Sequence, residues 1–208
     1  MMKNLFFTVC CFLTPLFLFS QSSVNRSLLP FSKISISGGY DKVILQEGSA
    51  ESVQLEVSGV EPDNITTEVK GNTLHISTKK GNWRNLKAKI TITYRELTEI
   101  AASGSSDIEA LSVIKADKFE LATSGSVNFK GAFDVRDLAV AISGSCDMNL
   151  RGKAENQDIA ISGSGDVNAS ELSGATAAVA ISGSGDVKLS VKGKVKTAVS
   201  GSGKVTNN

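Results

Sequence analysis

The chain is poor in the residues that most catalytic sites are built from. Its 208 residues include one histidine, three cysteines, three prolines and one tryptophan, and aromatics make up 6%. A serine nucleophile would have only His75 as its base. Excess charge of either sign is also missing, with 22 basic residues against 21 acidic. That balance removes any general attraction to nucleic acid or to an anionic membrane. Helical periodicity is absent too. No segment keeps apolar residues at i, i+3, i+4 and i+7 over three turns. The 19 glycines would each cost a helix roughly 1 kcal/mol.

One long apolar run is present, at the start. "MMKN" carries Lys3 and no acid, "LFFTVCCFLTPLFLF" follows, and "SQ" closes it. A basic start, an apolar stretch and a small residue make a secretory signal peptide over residues 1–20, with cleavage after Ser20. The run is short of the ~20 residues that a membrane span needs, so no integral span is expected in the mature chain. Cys10 and Cys11 leave with the signal. Neither stands at the end of the run, where a lipidated cysteine would be. Cys146 remains alone and has no disulfide partner.

What the sequence has in quantity is a phrase. Ser-Gly-Ser occurs at 103–105, 124–126, 143–145, 162–164, 182–184 and 200–202, at intervals of 21, 19, 19, 20 and 18 residues. Self-similarity at about 20 residues is the mark of a solenoid. Before each phrase apolar residues alternate, as in Leu138, Val140 and Ile142, and after it the alternation resumes, as in Met148 and Leu150. Period two is the signature of a strand with one buried face. Aligned, the copies stack Ile142, Ile161, Ile181 and Val199 in one column. Ile100, Leu121, Val140, Ile159 and Val179 form the next. The fold class expected is all-β, a single-stranded β-helix with coils of about 20 residues. "ISISGGYDKVIL" at 34–45, "LEVSGV" at 55–60 and "LHIST" at 74–78 read as worn copies stacked in chain order, with "KKGNWRNLK" at 79–87 as an insertion. A small antiparallel β cap over residues 31–100 is the alternative for that third. The division is signal peptide 1–20, linker 21–30, β domain 31–205 and tail 206–208.

"SGSGDV" units behind a signal peptide, with "FSKISISGGYDKVILQEG", "TEVKGNTLHIST" and "LTEIAASGSSDIEA", resemble the putative auto-transporter adhesin, head GIN domain family over about residues 31–205. The resemblance implies an exported single-stranded β-helix and brings no catalytic residues. The chain departs from the pattern at "TSGSVNF", where one corner residue and the aspartate are missing, and at Lys204, which replaces aspartate.

The candidate sites follow. Asp107, Asp147, Asp166 and Asp186 recur just after the corner glycines and would line one edge. Such a ladder could hold Ca²⁺. The plainer expectation is that each carboxylate caps its own corner's backbone amides, so no metal and no cofactor is assigned. Ser105, Ser145, Ser164 and Ser184 lack a nucleophile elbow, and no catalytic residue is assigned. Cys146 fills the slot of Gly165 and Gly185, as a tolerated small residue. Trp83, Arg84 and Tyr94 stand among lysines in "KKGNWRNLKAKITITYRE" and form a possible ligand contact for a sugar or an acidic glycan. Lys188, Lys192, Lys194, Lys196 and Lys204 would guard an open strand edge at the end of the solenoid. The function expected is a non-enzymatic binding or adhesion module in the periplasm, on the surface or secreted. Its partner would be a glycan, an envelope component or a protein, with no role for nucleic acid. The alternatives are an enzyme acting on a carbohydrate polymer and a purely structural envelope protein.

Overall fold

The computed structural model describes residues 22–81, 83 and 86–208. The expected signal peptide lies outside them. The fold is all-β. Its strands are β1 (Ser22–Ser27), β2 (Lys33–Glu47), β3 (Ser52–Ser58), β4 (Ile65–Lys70), β5 (Thr73–Thr78), β6 (Lys87–Tyr94) and β7 (Glu99–Gly144). They continue with β8 (Asp147–Gly163), β9 (Asp166–Gly174), β10 (Thr176–Gly183), β11 (Val187–Val191), β12 (Val195–Gly201) and β13 (Val205–Asn207). Among the described residues the only helical element is a 3-10 turn at Pro62–Asn64.

The alternating segments pair in parallel, like on like. Ser37 lies beside Ser103, Ser143 beside Ser162, Ser162 beside Ser182, and Ser182 beside Ser200. Beyond the corner, Met148 lies beside Val167, Val167 beside Val187, and Val187 beside Val205. The 46-residue β7 folds back on itself: Asn128 Nδ2 donates to Asp107 Oδ1, and a Cβ on Gly125 would land on the Gly104 carbonyl oxygen. Each level therefore lies one strand spacing, ~4.8 Å, from the next.

Two apolar columns fill the interior. Ile100, Leu121, Val140, Ile159 and Val179 are at most 3% exposed, and so are Ile142, Ile161 and Ile181. Val199, the fourth member of the second column, is 45% exposed. The core is not purely aliphatic. Phe119, Phe129 and Phe133 are fully buried, with ring centroids 5.3 and 6.0 Å apart. The column spacing does not reveal this aromatic knot, because these rings fall outside the two columns read from the phrase.

The corner is set by glycine. Gly38, Gly104, Gly125, Gly144, Gly163, Gly183 and Gly201 have φ between +102° and +141°. Side chains rarely adopt that region. Close approach adds a second constraint. A Cβ placed on Gly163 would land on the Gly144 carbonyl oxygen, and one on Gly183 on the Gly163 carbonyl oxygen.

The N-terminal third departs from chain-order stacking. β5 and β7 flank β2 on opposite edges, so the order in space is Ser77, Ser37, Ser103. β3, which holds "LEVSGV", is antiparallel to both β1 and β6, and β4 is antiparallel to β5. Residues 55–60 are therefore not a copy of the phrase. Their alternation buries Leu55 and Val57, but period two says nothing of strand direction. The expected linker 21–30 contains β1, anchored by Arg26, whose guanidinium donates to the Ile65 and Pro62 carbonyls at 2.7 and 3.0 Å. Thr206 and Asn207 of the expected tail are also strand. Asn207 exchanges two side-chain hydrogen bonds with the Val191 backbone, at 2.8 and 2.9 Å.

Ile161→Asp places a carboxylate between Ile142 and Ile181 and should cost several kcal/mol, a large part of a typical stability of ~5–15 kcal/mol. Ala160→Asp, one residue away on the exposed face, should shift the melting temperature far less. Equal losses in thermal melts of the two variants would contradict this inward and outward assignment.

Candidate functional site

The corner aspartates do form a ladder, and its hydrogen bonds run between levels. Asp166 Oδ1 accepts from the Asp186 N–H at 2.8 Å, and Asp186 Oδ1 accepts from the Lys204 N–H at 2.9 Å. The expectation that each carboxylate caps its own corner is corrected for Asp166 and Asp186: the amide that each serves belongs to the next level. Asn128 fills the level that had seemed to lack a member. It donates to Asp107 Oδ1 at 2.8 Å and accepts from the Asp147 N–H at 3.4 Å. The signal was available, since Phe129 pairs with Met148 and so puts Asn128 opposite Asp147. Asp107 is thus two levels from Asp147. Among the described residues no group of three or more His, Cys, Asp and Glu side chains is arranged to hold a metal ion. Lys204 ends the ladder through its backbone N–H, which is why a lysine can follow five acidic or amide residues there.

Trp83 and Tyr94 do not share one surface. Trp83 is half-buried, its indole N–H donates to the Lys79 carbonyl at 2.6 Å, and its ring packs over Gly81. Arg84 lies outside the described residues. Tyr94 is 3% exposed, in the core, and its hydroxyl is buried without a partner. Burial first, and the nearby Glu47 carboxylate second, push its pKa up to about 12. His75 is exposed on β5, opposite Ser35 and Glu68. Cys146 is 1% exposed, its thiol 3.7 Å from the Gly125 carbonyl.

Two grooves on the outer faces are better formed. In the first, the small residues between the core positions line up. Ala141, Ala160 and Ala180 make one column, and Ser143, Ser162 and Ser182 the next. The groove measures about 720 Å³ and runs from Ser35 to Ser200 across seven levels, roughly 29 Å at strand spacing. Its floor is methyl groups, edged by a row of hydroxyls.

A polar groove of about 570 Å³ lies beside it. The Thr176 hydroxyl donates to Asn156 Oδ1 at 2.8 Å, and Asn156 Nδ2 donates to Asp137 Oδ1 at 2.7 Å. Glu120 and Asp158 line the same groove, with Lys118, Lys194 and Lys196. The Asn156 hydrogen bond first, then Arg136, hold the Asp137 carboxyl below its usual range. Sequence reasoning missed this groove because the place four residues before each Ser-Gly-Ser is acidic at Glu120 and Asp158 but holds Ala139, Ala178 and Lys196 in three other copies.

Comparison with known proteins follows the same outline. The family model described as putative auto-transporter adhesin, head GIN domain, matches residues 30–208. A putative adhesin from Bacteroides fragilis has a similar solved structure, with a TM-score of 0.75, 21% identity, and coverage of 91% of this chain and 97% of that one. A protein called a putative lipid binding protein, from Parabacteroides distasonis, gives 0.63, 19%, 90% and 96%. A putative adhesin from the same species gives 0.61, 18%, 91% and 97%. At such identities the likeness is one of fold. No curated protein matches the chain.

Asp166→Asn should be nearly neutral, because the amide oxygen still accepts the Asp186 N–H, as Asn128 does for Asp147. Asp166→Ala should cost about 1 kcal/mol, one hydrogen bond's net worth. Melts in millimolar calcium and in chelator should overlap. A calcium-dependent rise that Asp166→Asn removes would make the ladder a metal site.

Tyr94 also sets an alkaline limit. Its folded pKa of about 12 lies above the unfolded value of ~10. Between those values the unfolded chain releases a proton that the native state keeps. Stability should therefore be undiminished below pH ~10 and fall as pH rises toward 12. Tyrosinate absorbance assigned to Tyr94, by comparison with Tyr94→Phe, should appear only together with loss of the strand circular dichroism. Ionisation with the fold intact would show an accessible hydroxyl.

Proposed function

We propose, from the premise that this chain belongs to the putative auto-transporter adhesin, head GIN domain family, that it is an exported, non-enzymatic binding module of the bacterial envelope or surface. Its scaffold on this reading is a single-stranded β-helix. Support comes from parallel registers offset by 18 to 20 residues between successive phrases from Ser143 to Ser200, and from the glycine that recurs at each corner.

The observation that carries the binding reading is the Ala–Ser groove. A soluble sheet face left to solvent is normally polar. Here it is a long strip of methyls and hydroxyls on a rigid ladder, so a partner meets it with little ordering cost. A linear partner, such as a glycan strand or an apolar chain of an envelope component, suits its narrow shape. The name of the Parabacteroides distasonis neighbour, putative lipid binding protein, agrees with the apolar variant.

The enzyme reading would use the polar groove, where Glu120, Asp137 and Asp158 lie near one another. A general acid needs a carboxyl that keeps its proton near neutrality. Asp137 is biased the other way by Asn156 and Arg136, which makes it unsuited to the general acid's part.

Residues 21–208, which contain every described strand, should bind at least one component on an array of glycans and envelope lipids. Ala160→Glu, in the middle of the groove, should reduce that binding about tenfold or more, and Trp83→Ala should leave it unchanged. The opposite ranking would move the site to the segment around Trp83. Release of new sugar ends from the bound component would establish the enzyme reading.

A further inference from the structure

The ladder is covered at one end and open at the other. β5 and β6 are overlaid by the antiparallel strands β4 and β3. At the far end, among the described residues, β12 pairs only with β10 and β13 only with β11.

Three properties meet at the open end. First, the core is uncovered: Val199 is 45% exposed where Ile161 and Ile181 are 3% and 2%, and Val195 and Val205 are only partly buried. Second, backbone groups are free. The Lys194 carbonyl accepts from the Ala177 N–H, and the Ser202 N–H donates to the Gly183 carbonyl. In a parallel pair alternate residues direct both their groups to one neighbour. The groups of Val195, Thr197 and Val199 therefore point away from β10. Third, the charge is of one sign. After Asp186 the sequence has Lys188, Lys192, Lys194, Lys196 and Lys204 and no acid. None of the five is in an ion pair among the described residues.

We infer that this end takes an extended acidic segment of a partner protein, added to β12 as the next strand. Such a segment supplies carbonyls and amides to the free edge. Its alternate apolar side chains cover Val199, and its acids face Lys196 and Lys194. Other occupants meet only part of this demand. Hydrocarbon cannot satisfy the free N–H and C=O groups. A second copy paired β12 to β12 brings like-charged lysines together. The inference is independent of what the Ala–Ser groove binds.

The test is fluorescence anisotropy with a labelled decapeptide of alternating glutamate and valine. Saturable binding is expected, weakening with salt. A lysine–valine decapeptide should not bind, and a glutamate–valine decapeptide with its alternate amides N-methylated should bind about tenfold or more weakly. Lys194→Glu combined with Lys196→Glu should produce a loss of the same size. Thr197→Pro should do so too, by removing one outward N–H while leaving the β10 ladder untouched, and thermal melts confirm that both variants are folded. No saturable binding, equal binding of the lysine peptide, or indifference to N-methylation would overturn the inference. Sedimentation velocity showing self-association that the charge-reversal pair leaves intact would also overturn it, naming a second copy as the occupant.

Discussion

Everything in the ladder depends on one backbone position per level that no side chain can occupy. At Gly163 two constraints coincide: a φ of +129° and a carbonyl oxygen from Gly144 where a Cβ would stand. The first fixes how sharply the chain turns. The second fixes how closely the next level can lie. Because both act at the same residue, a level that turns correctly is also in register, and the inward residues of the next strand fall on the inward residues of the last. A one-residue slip would put Ala160 where Ile161 belongs and expose the whole apolar column.

Polar side chains repeat this logic on either side of the corner. Asp166 binds the amide of the residue one level above, as does Asp186, while Asn156 links Asp137 to Thr176 across three levels. Each such bond is worth only about 1 kcal/mol, but each is satisfied only in the correct register. Their value lies in discrimination between registers more than in net stability. The exchange of aspartate for Asn128 is tolerated because the amide oxygen offers the same acceptor to the next level. Its Nδ2 adds a donor to the level below.

The sequence makes the C-terminal two thirds legible because pattern and pairing there are the same thing. The residues that align as text, Ile142 with Ile161 and Ile181, also pair in space. The N-terminal third is less legible because period two records which face is buried and not which way the strand runs. β3 and β5 alternate equally well, yet only β5 joins the parallel ladder. The site residues divide on similar lines. The aspartate ladder could be read from its spacing, although the partner amide could not. Tyr94 appeared beside Trp83 as text, but its place in an alternating strand turns it inward. The Ala–Ser groove was present in the letters between the core positions and needed only the outward parity to be followed as closely as the inward one.

That outward parity links scaffold to function. A corner that forces like onto like does so on both faces, so the outer surface repeats at strand spacing as strictly as the core does. The surface then offers the same methyl and hydroxyl to a partner at level after level. A single weak contact repeated along a rigid row gains strength through effective concentration, provided the partner is itself extended and repeating. A compact ligand would meet one or two levels and gain little. On the binding reading proposed above, the architecture favours linear partners over globular ones on the flat face. The open end, where the repetition stops, is the one place where the ladder offers unpaired backbone and uncovered core together.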